Sequence, residues 1–147
     1  PAARRLAVFP WGLYAAPAYL AEHGEPQAPD DLHRHRALRL LARTGDAIRW
    51  TLLCGDQRWE GVPPGSITAN SPELLIRFAC AAAGITTVPE YFAAPHVQRG
   101  ELRRVLPDWR PPSIAAWAVF PGRRLMPAKT RAFLDMLQAA LGGDQRG

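Results

Sequence analysis

Apolar residues along this chain fall in short runs, and the change of period around Asn70 is the most informative of them. Ile67 and Ala69 share one side of a short strand, which Asn70-Ser71 closes. Pro72 fits the first helical position, where its missing N–H costs nothing. Leu74, Leu75, Phe78 and Ala82 then recur at helical spacing, Gly84 supplies a left-handed stop, and Ile85 to Val88 is β-branched until Pro89. The pattern predicts a βαβ unit. Its elbow aims the unpaired amides of a helix N-terminus at the carboxyl edge of a sheet, where α/β folds hold polar or anionic small molecules.

The flanking pattern extends this α/β reading. Leu6 to Tyr14 is an apolar run broken by Pro10 and Gly12, as in a crossing strand that bends or changes sheets. Pro17 to His23 reads as a short helix ended by Gly24, and Asp30 as the cap of a single turn through Leu32. Ala37 to Leu41 and Ile48 to Leu53 read as strands joined through Gly45-Asp46, with turns at Gly55-Asp56 and over Gly61 to Gly65. Beyond Pro89 come a helix over Glu90 to Arg99 that contains Pro95 and stops at Gly100, and a strand over Leu102 to Leu106. Pro107, Pro111 and Pro112 stiffen the connector around Trp109, which is the expected hinge. Ile114 to Phe120 is a further strand, and Pro127 opens a helix striped with Phe133, Leu134, Leu137 and Leu141.

Composition narrows the function classes. With 147 residues, 48% hydrophobic and 21% charged, the chain has the size and apolar content of one globular domain. Its net charge of +5 comes from scattered arginines, adjacent only as Arg4-Arg5, Arg103-Arg104 and Arg123-Arg124, so no nucleic-acid surface is expected in this piece. Cys54 and Cys80 lie in apolar segments without CxxC or histidine spacing, which argues for a reducing cytoplasm and against a zinc site or disulfides. No run approaches the roughly 18 apolar residues of a membrane span. GxSxG, HExxH, glycine-rich phosphate loops and paired carboxylates are lacking, so neither catalysis nor a cofactor is expected. A start at Pro1 points to a longer polypeptide.

The order of the pieces resembles the C-terminal part of the effector-binding region of LysR-type transcriptional regulators. Tyr14 to Gly24, Pro29 to His33, Asn70-Ser-Pro-Glu-Leu74, Ala83-Gly-Ile85, Val88-Pro89, Gly100-Glu-Leu102, Val105 to Trp109 and Pro127 to Asp135 carry it. The resemblance implies a periplasmic-binding-protein-like (type II) effector domain, truncated, in which crossing strands join two α/β subdomains and an inducer sits in a cleft. Residues 1–11 would be the crossover from a missing part of subdomain I, 12–110 the effector-binding subdomain II, and 111–147 the hinge, return strand and last helix of subdomain I. The winged helix-turn-helix would lie outside this chain, so operator DNA would be met only through it. Ala16 and Met126 stand where family members often have a capping serine.

The implied partner is a small-molecule effector, a carboxylate or an aromatic compound, with Asn70 and Ser71 as polar contacts and Phe9 and Trp11 as an apolar wall. Asn70 and Ser71 also read as a helix cap, and Phe9 and Trp11 as core packing. His33 and His35 would share a strand face, but a metal there lacks a third ligand. His23 reads as a charge partner for a helix C-terminus, and Cys80 as a small buried hydrophobe rather than a redox sensor. With half of the clamp missing, the piece alone is expected to bind effector weakly and to form a homo-oligomer through its unpartnered arm. A solute-binding protein or transport component of the same architecture is the alternative.

Overall fold

A computed structural model describes residues 2–41, 49–112 and 114–120, with residues 2–9 and 114–120 as backbone only. In chain order the elements are β1 (Ala2–Phe9), β2 (Trp11–Ala15), α1 (Pro17–His23), a 3-10 turn (Pro29–Arg34), β3 (Ala37–Leu40), β4 (Trp50–Cys54), β5 (Gln57–Gly61), β6 (Ile67–Ala69), α2 (Pro72–Cys80), β7 (Ile85–Pro89), α3 (Glu90–Gln98), β8 (Arg103–Val105) and β9 (Ile114–Phe120). Two compact units result, residues 1–9 with 113–147 and residues 10–112. In the first, β1 and β9 form an antiparallel ribbon from Ala2 opposite Phe120 to Phe9 opposite Ile114. Pro10 separates β1 from β2, which belongs to a different sheet, as the broken apolar run predicts.

The second unit is built on a five-stranded sheet of order β6-β3-β7-β2-β8. β3 runs parallel to β6 and to β7, while β2 is antiparallel to β7 and β8. The βαβ unit therefore spans an intervening strand, β3. Alternation along the strands sorts the core into two layers. Leu13, Ala15, Ala37, Ile85 and Val105 pack with Tyr19, Leu20, Leu32, Trp50 and Leu52 on one face. Tyr14, Leu38, Ala69 and Val88 pack with Leu75, Ile76 and Ala79 of α2 and Ala93 of α3 on the other. Each fully buried aliphatic side chain contributes about 1.5–3 kcal/mol, so both layers hold the sheet.

Several local expectations change. The buried side of α2 is Leu75, Ile76 and Ala79, whereas Leu74 is 40% exposed, because the helix is rotated by about one position from the predicted stripe. The left-handed residue after α2 is Ala82 (φ 62), not Gly84. Ala83 N–H donates to the Phe78 carbonyl (3.1 Å) around that turn. Gly84 is needed for a different reason: a methyl group there would overlap the Arg36 carbonyl oxygen. Asp31 rather than Asp30 holds the 3-10 turn, accepting from the Gln27 (2.9 Å) and Ala28 (3.1 Å) amides. Asp30 instead accepts from the Trp59 indole (2.8 Å). Trp59 lies on β5, which pairs with β4 across Gly55-Asp56 in a hairpin whose second strand has no strand-like pattern in the sequence. Arg110 exchanges two backbone hydrogen bonds with Leu53 (2.8 and 2.9 Å), which ties the proline-rich connector to that hairpin. The Gly45-Asp46 connection, the helix expected from Pro127 and the Met126 departure lie outside the described residues.

Candidate functional site: the carboxyl edge of the sheet

Because β3, β6 and β7 are parallel, their carboxyl ends and the start of antiparallel β2 share one edge. At β6 the chain leaves through Asn70, which is exposed, and Ser71, which is half-buried. Ser71 Oγ accepts from the Leu74 amide (3.2 Å), so the predicted cap is present. By contrast Ala16, at the start of α1, makes no side-chain cap. Three strands across, Trp11 begins β2 opposite Pro89. Strand spacing puts about 14 Å between the β6 and β2 backbones, a span filled by one ring-sized molecule and the side chains touching it. The Trp11 indole N–H is shielded from solvent and meets no acceptor among the described residues, an arrangement that costs about 1–3 kcal/mol unless one arrives. Phe9 ends β1 opposite Ile114 and is described as backbone only.

A charged cluster beside Trp11 was not foreseen. Arg104 on β8 donates to Glu90 Oε1 (2.8 Å), and Arg110 donates to the same oxygen (3.0 Å). Arg104 also donates to the Tyr14 hydroxyl (3.3 Å) and the Trp11 carbonyl (3.4 Å), and its guanidinium lies 5.4 Å from the Tyr14 ring centre. Gly12 makes room for this, since a methyl group there would come within 2.5 Å of the guanidinium. Burial pushes the Tyr14 phenol up despite the pull of Arg104, so it stays neutral. Two guanidinium groups thus share one carboxylate, leaving a net positive charge at this end of the edge. The signal in the sequence was too dispersed to read: Gly12, Tyr14, Glu90, Arg104 and Arg110 come from four segments.

Three of the four histidines take packing roles. His33 and His35 lie on the 3-10 turn and its end rather than on a strand; His33 packs on Trp59, with ring centres 5.7 Å apart, and His35 Nδ1 meets the Tyr19 hydroxyl at 2.9 Å. His23 stacks on Tyr19 in the last turn of α1, with centres 4.5 Å apart. No helix among the described residues is long and apolar enough to cross a membrane.

Parallel strands with helices packed on both faces and an antiparallel return define an α/β domain of the periplasmic-binding-protein-like class. Residues 2–142 match the family model described as LysR substrate binding domain, and the chain belongs to that family. It is 34% identical over 145 residues to an HTH-type transcriptional regulator of Xanthomonas campestris pv. campestris, covering 97% of this chain and 42% of that protein. It is 29% identical over 134 residues to the HTH-type transcriptional activator AaeR of Escherichia coli K12, covering 91% and 43%. Among solved structures it is similar to the full-length virulence activator AphB of Vibrio cholerae, with a TM-score of 0.78, 23% identity and coverage of 95% and 48%. The regulatory domain of CrgA from Neisseria meningitidis gives a TM-score of 0.71 at 25% identity, covering 95% and 68%. The chain spans less than half the length of these curated relatives.

Proposed function

We propose that this chain is the effector-sensing part of a LysR-type, DNA-binding transcriptional regulator that works in the cytoplasm as a homo-oligomer and catalyses nothing. The observation that carries the reading is the open polar carboxyl edge, with Asn70 exposed in front of a capped helix, in a chain of this family. Asn70 and Ser71 orient a small molecule there, and the Trp11 indole N–H and the positive charge of the Arg104-Glu90-Arg110 cluster favour one that carries a carboxylate. Phe9 remains a proposed apolar contact, on the family resemblance alone. Occupancy acts on DNA only through the difference in effector affinity between two arrangements of the regulator. The names of the curated relatives favour this reading over a solute-binding protein.

The test is a thermal-shift and calorimetric screen of small aromatic and aliphatic carboxylates against the intact regulator, followed by Asn70→Ala. A hit weakened at least tenfold by that change supports the site. A hit whose affinity ignores Asn70→Ala, Ser71→Ala and Trp11→Phe alike places the effector elsewhere.

A further inference from the structure

α2 and α3 both run back from the carboxyl edge, so their C-terminal ends meet at the opposite end of the sheet, and three side chains with ligand chemistry converge there. Cys80 is the last residue of α2, His96 lies in the last turn of α3, and Glu101 follows the left-handed Gly100. His96 Nδ1 stands 2.8 Å from Glu101 Oε2 and 3.6 Å from Cys80 Sγ, and that sulfur is 3.9 Å from the same carboxylate oxygen. We propose that Cys80 Sγ, His96 Nδ1 and Glu101 Oε2 form a three-ligand site for a zinc-class transition-metal ion, with its fourth position open to solvent.

Tetrahedral zinc with bonds of about 2.0–2.3 Å keeps its ligand atoms about 3.3–3.8 Å apart. Both sulfur separations are close to that range. The nitrogen–oxygen pair is now drawn together by a shared proton, and it needs to open by only about half an ångström to admit an ion. Metal entry would displace that proton and the thiol's, which is how such sites exchange hydrogen bonds for coordination. One supporting partner is already in place. Arg99 Nε donates to Glu101 Oε1 (2.7 Å), which fixes the carboxylate and leaves Oε2 as a single ligand atom. Arg99 Nη2, 3.3 Å from His96 Nδ1, has to swing outward, and its 56% side-chain exposure gives it somewhere to go.

A thiol sensor is the competing use of Cys80, and the surroundings oppose it. The Glu101 carboxylate oxygen lies 3.9 Å from Cys80 Sγ, whereas an oxidation-sensitive cysteine needs a cationic neighbourhood that stabilises its thiolate. Coordination instead supplies the thiolate by exchanging a proton for the ion. The ligands are separated by fifteen and four residues on three different segments, which is why no short motif announces them.

Cobalt(II) alone, titrated into the full chain and read by absorption, tests the site. The expected result is one equivalent bound with a sulfur-to-cobalt charge-transfer band, displaced by zinc(II). Cys54→Ser should leave the band intact, Cys80→Ser should abolish it, and His96→Ala and Glu101→Gln should each weaken binding at least tenfold, with circular dichroism confirming the fold of every variant. Failure of the folded chain to give a thiolate band at millimolar cobalt overturns the proposal. A band that survives Cys80→Ser, or binding indifferent to both His96→Ala and Glu101→Gln, overturns it equally. Glu101→Gln, on an exposed turn, keeps the test decisive if the helix variants fail to fold.

Discussion

The two ends of the five-stranded sheet are finished differently. At the end where β3, β6 and β7 begin, backbone packs directly on backbone: methyl groups at Gly65 and Gly84 would overlap the carbonyl oxygens of Ala37 and Arg36. Amides are paired at close range at both ends, Ala37 N–H to Pro64 O and Ile85 N–H to Arg36 O here and Leu41 N–H to Ala69 O and Glu90 N–H to Pro10 O at the other, all 2.8 Å. At the end where they finish, Asn70 is exposed and the Trp11 indole N–H has no acceptor among the described residues. Backbone-to-backbone packing thus marks one end and an exposed polar corner at Asn70 the other, the difference that the proposed effector site would use. The proposed metal site belongs to the packed end but lies on its outer rim, on helix ends rather than strands.

Substitutions separate the two ends, beginning with the largest effect. Gly84→Ala is expected to destabilise the chain by about 3 kcal/mol, because the obstacle is a sheet backbone that cannot yield. Asn70→Ala, at an exposed position, should stay within about 0.5 kcal/mol. Urea unfolding measures both, and equal losses would abolish the distinction. Next in size is Tyr19→Phe. The Tyr19 hydroxyl accepts from the Arg36 amide (3.0 Å) and presents its proton to His35 Nδ1 (2.9 Å), so its removal should cost about 2 kcal/mol.

The same group sets a pH dependence. Burial, reinforced by nearby His23, lowers the His35 pKa from its ordinary 6.5, so the unfolded chain binds the extra proton first as pH falls. Its stabilisation is fully present above about pH 6.5 and is lost as pH drops through the lowered native value. Melting temperature should therefore decline on acidification below that point, and decline less in a His35→Gln variant. A curve identical in the two proteins would assign the acid sensitivity to other groups.

How much of this was legible follows the same division. The carboxyl edge could be read because its elements are continuous in sequence: strand, Asn70-Ser71, Pro72 and helix all fall between Ile67 and Cys80, each with a local physical signal. The Arg104-Glu90-Arg110 cluster and the Cys80-His96-Glu101 group could not, since each is assembled by pairing between distant strands or by helices packed side by side. β5 carries no readable pattern because Gln57, Arg58 and Glu60 are polar and only Trp59 and Gly61, which has no side chain, turn inward, so neither alternation nor β-branching marks it. Gly84 was correctly singled out but for the wrong reason, as a glycine needed for close approach looks the same in sequence as one needed for a positive φ.

Two smaller changes in α2 sharpen the contrast at either end of one helix. Ser71→Ala removes the acceptor of the Leu74 amide and should cost about 1 kcal/mol, more than Asn70→Ala although both face the same edge. At the other end Ala82 occupies a left-handed conformation (φ 62) that costs a side-chain-bearing residue about 1 kcal/mol. Ala82→Gly is therefore expected to raise stability by somewhat under 1 kcal/mol, the gain being offset in part by the extra freedom of glycine in the unfolded chain. Chemical denaturation of the single and double variants resolves these terms, and their separation along α2 predicts additivity. A destabilising Ala82→Gly would mean that the Ala82 methyl, which packs against the core layer of Tyr19 and Ile85, contributes more than its backbone strain takes away.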